Sequence, residues 1–186
     1  MRTATSPGPQ LLAFLDEVVA RCGASRRVLE LGSGTGRDAL LLEARGLVVE
    51  RTDATRAFVD MLRRGGHDAR VLNALTDDLG GRYAAVLANA VFLHFDDREL
   101  RGVLARVRPA LATDGVLAFT VKQGEGARWS TDKLAAPRHF TYWQPGPLCR
   151  LLEDEGWAAE LLTRHTGGHE PWIFVIARPA PAEENP

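Results

Sequence analysis

Val28-Leu29-Glu30-Leu31-Gly32-Ser33-Gly34-Thr35-Gly36-Arg37-Asp38 is the stretch on which the reading of the whole chain turns. The apolar run before the glycines predicts a strand from Arg27 to Leu31, and the pattern after them predicts a helix from Arg37 to Arg45. Glycines at alternate positions between the two allow a tight turn with positive φ and let a ligand approach main-chain atoms without interference from a Cβ. In open parallel sheets, ligands bind beyond the carboxyl ends of the strands, which makes this turn the first place to seek a site. A nicotinamide-dinucleotide fingerprint, G-x-G-x-x-G, needs glycine at 37, where Arg37 stands. Glu30 adds a carboxylate at the strand end, which repels a pyrophosphate and attracts an ammonium or sulfonium. The expected ligand carries positive charge near Glu30.

Outward from this turn, predicted strands and helices alternate. A first helix is expected from Ser6-Pro7 to Gly23, a strand from Leu47 to Arg51, a helix from Thr55 to Arg64, and a short strand from Ala69 to Leu72. A strand from Tyr83 to Ala88, a helix from Asp96 or Asp97 to Val107, and a strand from Val116 to Val121 after an Asp114-Gly115 turn come next. After a loop-rich stretch come a helix around Pro147 to Glu155 and strands at Ala158 to Thr163 and Trp172 to Ala177. Runs such as Val116-Leu117-Ala118-Phe119 are apolar on both faces, as in a parallel sheet covered by helices. The predicted class is α/β: a doubly wound, Rossmann-like, mostly parallel seven-stranded sheet with helices on both faces and an antiparallel last strand. Residues 1–178 are expected to form one domain, with the helix of residues 1–24 contributing to a lid, and 179–186 a flexible tail.

Asp53 stands about 20 residues past the glycine loop, at the end of the second strand, where an acid accepts hydrogen bonds from both hydroxyls of a ribose. Taken alone it would also serve as a turn or helix-capping residue. Glu30-x-Gly32-x-Gly34-x-Gly36 followed by Asp53 resembles the cofactor site of class I S-adenosylmethionine-dependent methyltransferases. The segments from Arg82 to His94, Leu111 to Leu117, and Phe140 to Trp157 resemble later parts of small bacterial members, including the tellurite-resistance-like group.

The resemblance implies S-adenosyl-L-methionine as cofactor and S-adenosyl-L-homocysteine as product. Gly32, Gly34 and Gly36, with Ser33 among them, would line the methionine and adenosine portion. Glu30 would bind the amino group, Asp53 the ribose, Asn73 the adenine, and Asn89 the methionine moiety. Ala54 and Ala74, next to Asp53 and Asn73, are assigned to the same site. Two positions depart from the family pattern: Asn73 replaces an aspartate, which predicts retuned adenine binding, and Ala84 replaces an aspartate common before the fourth strand.

Methyl transfer from a sulfonium is a displacement at an already activated carbon, so alignment is the main requirement, with a general base useful for a hydroxyl nucleophile. His94 follows the fourth strand and is the leading candidate base; its alternative is a structural residue at a helix start. His139 is the second candidate, and Phe140, Tyr142, Trp143, Trp129 and Trp172 supply aromatic surface for a pocket or for the core. His165 and His169 have HxxxH spacing, but the glycines between them predict a loop and no third ligand accompanies them, so no metal is expected. Neither G-x-x-x-x-G-K nor G-x-S-x-G occurs, which removes nucleotide-kinase and hydrolase readings.

The 186 residues suffice for one core without disulfides, and Cys22 and Cys149 read as free thiols of a reducing compartment. Ser6-Pro7-Gly8-Pro9 interrupts the place where a signal peptide's apolar segment would lie, so a cytoplasmic location and no membrane partner are expected. A net charge of −1 and a pI near 6.5 give no basic footprint for nucleic acid. A small-molecule acceptor, methylated on oxygen or nitrogen by a monomer or homodimer, is the expectation. The rivals are a protein that uses bound S-adenosylmethionine without methylating and, disfavoured by Arg37 and Glu30, a nicotinamide oxidoreductase.

Overall fold

The computed structural model describes residues 7–23, 26–131, 137–166 and 170–181. Its elements are α1 (Pro9–Arg21), β1 (Arg27–Glu30), α2 (Arg37–Glu43), β2 (Val48–Asp53), α3 (Arg56–Arg64), β3 (Ala69–Val71), β4 (Tyr83–Ala88), α4 (Asp97–Ala110), β5 (Leu111–Gln123), β6 (Ala127–Ser130), β7 (Arg138–Trp143), α5 (Pro145–Asp154), β8 (Trp157–His165) and β9 (Trp172–Pro179). A 3₁₀ turn at Phe92–His94 follows β4.

β3, β2, β1, β4 and β5 pair in that order, all parallel. β9 runs antiparallel to β5 and carries β8 on its far side, again antiparallel. These are the doubly wound sheet and inverted last strand that the strand and helix alternation predicts. The reversal of strand order lies between β1 and β4, so the loops after these two strands flank the crevice of the sheet.

Side chains alternate across the sheet and build two cores. Val28, Ala85, Leu87, Val116 and Ala118 pack with Leu15 and Val18 of α1 and Ala39 and Leu42 of α2. Leu29, Val86, Ala88, Leu117 and Phe119 face the other way, onto Leu100, Val103 and Leu104 of α4 and Leu148 and Leu152 of α5. Every residue of β4 is buried, as required of a central strand covered on both faces. α4 begins at a capping box: the Glu99 amide donates to Asp96 Oδ1 (2.7 Å) and the Asp96 amide donates to Glu99 Oε2 (3.0 Å). This fixes the downstream end of the loop that carries His94.

Several boundaries differ from the sequence reading. Among the described residues the sheet has nine strands and not seven, because the stretch read as loop-rich after residue 122 contains the hairpin of β6 and β7. β5 starts at Leu111, and the Asp114-Gly115 turn is an irregularity within it, between the rungs Tyr83↔Leu111 and Ala85↔Val116. α1 begins at Pro9, with Gly8 as its N-cap, and Ser6 lies outside the described residues. α4 runs on to Ala110 through Pro109. β9 extends through Pro179, and the Ala180 amide donates to the Gly156 carbonyl (2.8 Å). Among the described residues, no helix is long and apolar enough to cross a membrane.

The hairpin decides the shape of the site. Lys122 pairs with Trp172 of β9 and with Tyr142 of β7. A strand has two edges, so β7 takes the edge of β5 that β4 occupies earlier and leaves at Ala88. The hairpin therefore stands over the carboxyl end of β4.

Candidate active site

The turn after β1 is tied to Thr52 of β2. The Ser33 amide donates to the Thr52 carbonyl (2.8 Å), the Thr52 amide to Ser33 Oγ (3.1 Å), and Thr52 Oγ1 to the Glu30 carbonyl (2.7 Å). Gly32, Gly34 and Gly36 all have positive φ, at 67°, 53° and 79°. Gly32 is required for packing as well, since a Cβ there would stand 2.6 Å from Val91 Cγ2. At Gly34 the same construction meets nothing nearer than 4.0 Å, so the bend opens outward there.

Two carboxylates flank the bend. Asp53, at the last position of β2, accepts from the Gly34 amide at Oδ2 (2.9 Å) and from the Thr55 amide at Oδ1 (2.8 Å). A carboxylate has about four acceptor positions, so two remain for hydroxyl donors. Glu30 is 3% exposed, and its Oε2 is buried without a hydrogen-bond partner. Burial pushes its pKa up to about 7; the Ser33 hydrogen bond opposes this, and the neighbouring charge of Asp38 reinforces it.

Asn89, just past β4, is clamped from both sides. Its Nδ2 donates to Asp38 Oδ2 (2.6 Å), and its Oδ1 accepts from Thr120 Oγ1 (2.7 Å). The same hydroxyl accepts from the Ala90 amide (2.9 Å), holding Ala90 at a φ of 58°. Asn73 lies at the surface in a turn of its own, where its Oδ1 accepts from the Leu75 amide (3.0 Å). Ala54 is exposed, Ala74 is buried, and Ser33 is buried within the bend.

Immediately beyond Asn89 lies a cavity of about 460 Å³, within the range of small-molecule sites. Ala90, Leu93 and His94 form one wall, and residues of β5, the hairpin and the start of β9 form the others. His94 Nδ1 lies 2.7 Å from the main-chain oxygen of His139. A carbonyl only accepts, so Nδ1 carries the proton and Nε2 holds the lone pair when the ring is neutral. Burial holds the His94 pKa below its ordinary 6.5; the carbonyl opposes this, while Arg138 and Lys122 add to it. This favours the neutral ring.

His139 thus reaches the site through its carbonyl, while its ring packs 5.3 Å from that of Trp129 on the hairpin. Phe140 and Trp172 line the cavity, whereas Trp143 joins the core under α5. His165 stacks edge-on against Phe174 at 4.7 Å, and His169 lies outside the described residues. The sequence reading passed over Asp38, Thr120, Lys122 and Arg138. Only Lys122 gave a signal in advance, as a charged residue closing an apolar strand.

The family model described as methyltransferase domain matches residues 8–162. No curated protein matches the sequence. Among solved structures, the CcbJ methyltransferase from Streptomyces caelestis superposes with a TM-score of 0.72 at 22% identity, over 94% of this chain and 91% of that one. The glycopeptide N-methyltransferase MtfA complexed with S-adenosyl-L-methionine gives 0.71 at 17% identity, over 96% and 99%. A S-adenosylmethionine-dependent methyltransferase from Clostridium acetobutylicum ATCC 824 gives 0.73 at 10% identity, over 94% and 93%. With the matched family model spanning most of the chain and the glycine bend in the place the fold reserves for it, this protein belongs to the methyltransferase domain family of class I, S-adenosylmethionine-dependent enzymes.

Proposed function

We propose that the chain transfers a methyl group from S-adenosyl-L-methionine to an oxygen or nitrogen of a small-molecule acceptor held in the cavity beside His94. The residues present fit the cofactor. An unpartnered buried carboxylate oxygen on Glu30 suits an ammonium, the free acceptor positions of Asp53 suit a ribose, and the open side of Gly34 leaves room between them. Asn73, Ala54 and Ala74 would flank the adenine, and Asn89 the methionine portion.

The observation that carries the reading is continuity. Asn89 on the cofactor side and Ala90 on the cavity side are held by one hydroxyl, that of Thr120. When bound, the sulfonium supplies an activated methyl carbon. His94 Nε2 takes the proton of the acceptor hydroxyl or amine as the nucleophile forms its bond to that carbon and the sulfur–carbon bond breaks. The His139 carbonyl keeps the imidazole in the tautomer this requires. The cavity walls hold the acceptor in line, which supplies most of the acceleration.

The test is turnover of S-adenosyl-L-methionine with a panel of phenols, amines and carboxylic acids, followed by S-adenosyl-L-homocysteine release and the mass of the product. Release that depends on an acceptor and disappears in His94→Ala supports the proposal. Tight cofactor binding with no release across the panel would leave only a non-methylating use of the fold.

A further inference from the structure

The cavity beside His94 carries a charge imbalance that methyl transfer does not itself demand. Among the described residues that line it, Lys122, Arg128 and Arg138 are cationic and Glu170 is the anion. Glu170 is divided between two of them: Lys122 Nζ lies 2.5 Å from Oε2, and Arg128 Nη2 lies 3.1 Å from Oε1. Lys122 is 7% exposed while Glu170 is partly exposed, so the lysine is a desolvated part of the wall already supplied with a counter-charge.

Arg138 differs from both. Its Nε is buried without a hydrogen-bond partner. A buried donor without an acceptor is costly, more so when charged, so its retention at a cavity wall calls for an acceptor that arrives from outside. The guanidinium fork matches a carboxylate in two parallel hydrogen bonds.

The groups converge on one ring. The Phe140 ring centroid lies 5.1 Å from Arg138 Cζ, 4.0 Å from Lys122 Nζ and 5.0 Å from the His94 ring centroid. Phe140, Leu93 and Trp172 supply the apolar surface between the charges. A ligand of one aromatic ring spans from a guanidinium to an imidazole gathered in this way, with its faces against apolar side chains.

We infer that the acceptor is a small planar acid, whose carboxylate pairs with Arg138 while its nucleophilic oxygen or nitrogen meets His94. The inference rests on the acceptor site proposed above and names its substrate class. The surplus positive charge also lowers the energy of the anionic nucleophile that forms as His94 takes the proton from a hydroxyl, and it disfavours cationic acceptors.

The probes are the three isomeric hydroxybenzoates and their matched hydroxybenzamides, titrated calorimetrically into the protein saturated with S-adenosyl-L-homocysteine. At least one acid is expected to bind about tenfold or more tighter than its amide at low salt, with the difference shrinking as salt is added. Arg138→Gln is expected to abolish the preference while S-adenosyl-L-homocysteine affinity is unchanged, and Arg138→Lys to keep part of it. Equal binding of acid and amide, binding of neither, or a preference that survives Arg138→Gln each overturns the inference. If an acid binds as expected but no methyl is transferred, the proposed reaction fails and the anion site stands. If neutral phenols are turned over as fast as acids, the reaction stands and the anion site fails.

Discussion

Asn89 Nδ2 reaches Asp38 Oδ2 across 2.6 Å, tying the residue after β4 to the first turn of α2. Because Thr120 holds the other end of the amide, neither oxygen nor nitrogen of Asn89 is free to rotate. The side chain is fixed before any ligand arrives.

Thr120→Val removes that hydroxyl without changing shape and leaves the Ala90 amide unpaired. A loss of about 1–3 kcal/mol in folding stability is expected from the orphaned group, together with weaker S-adenosylmethionine binding. Thr120→Ser restores both. Denaturant unfolding and calorimetry provide the check, and wild-type affinity in Thr120→Val would show that the Asn89 clamp has no part in binding.

In the proposed site, Glu30 sets cofactor affinity against stability. Its folded pKa of about 7 exceeds its ordinary 4.5, so between these values the folded chain holds more protons than the unfolded chain, and stability falls as pH rises through the window. At about 1.4 kcal/mol per pH unit, Glu30→Gln should be more stable than wild type by about 3 kcal/mol at pH 8 and nearly equal to it at pH 4. The same variant loses the pH-dependent part of cofactor affinity, which in wild type strengthens from pH 6 to 8 as the carboxylate ionises. Parallel unfolding curves for the two proteins across pH would remove the burial argument.

The proposed role of His94 as base predicts the acid limb of the rate profile. Its pKa lies below 6.5, so at saturating S-adenosylmethionine kcat/KM for the acceptor should fall only at pH values beneath that, as Nε2 gains a proton. His94→Gln should lower kcat by about 10²–10⁴ with little change in cofactor affinity. A variant that retains full kcat with the same acid limb would reduce the residue to a structural role.

Asp53→Ala should weaken S-adenosylmethionine binding by about 1–3 kcal/mol. The Gly34 and Thr55 amides also lose their partner, so a modest loss of thermal stability accompanies it. Unchanged affinity by calorimetry would count against the ribose contact.

Gly32→Ala combines a positive φ with a Cβ placed 2.6 Å from Val91 Cγ2. About 1–3 kcal/mol of destabilisation is expected. Adding Val91→Ala recovers the steric part and not the conformational part, and a double variant no more stable than Gly32→Ala would place the cost entirely in the backbone.

The parts of the fold that were legible share one property: they are specified by residues near one another in the chain. Val28 and Leu29 beside three alternating glycines announce β1, the bend and α2, and the Asp96 and Glu99 pair announces the start of α4. The hairpin was not legible because Arg128-Trp129-Ser130 and Arg138-His139-Phe140 are short and mixed in polarity, so their pairing is decided across the sheet by the edge of β5 that β4 vacates. The same reason hides the neighbours of His94. Its nearest polar partner is 45 residues away, and no periodicity near Asp96 points to the His139 carbonyl.

β7 joins the parallel sheet at only two positions, Lys122↔Tyr142 and Gln123↔Trp143. The flap formed by β6 and β7 is in effect a graft on a scaffold that β1, β2 and β4 hold together independently. Substitutions at Arg128, Ser130, Arg138 and Phe140 are expected to reshape one wall of the cavity without moving the glycine bend. The choice of acceptor can thus be retuned on the flap while the cofactor's seat stays as it is.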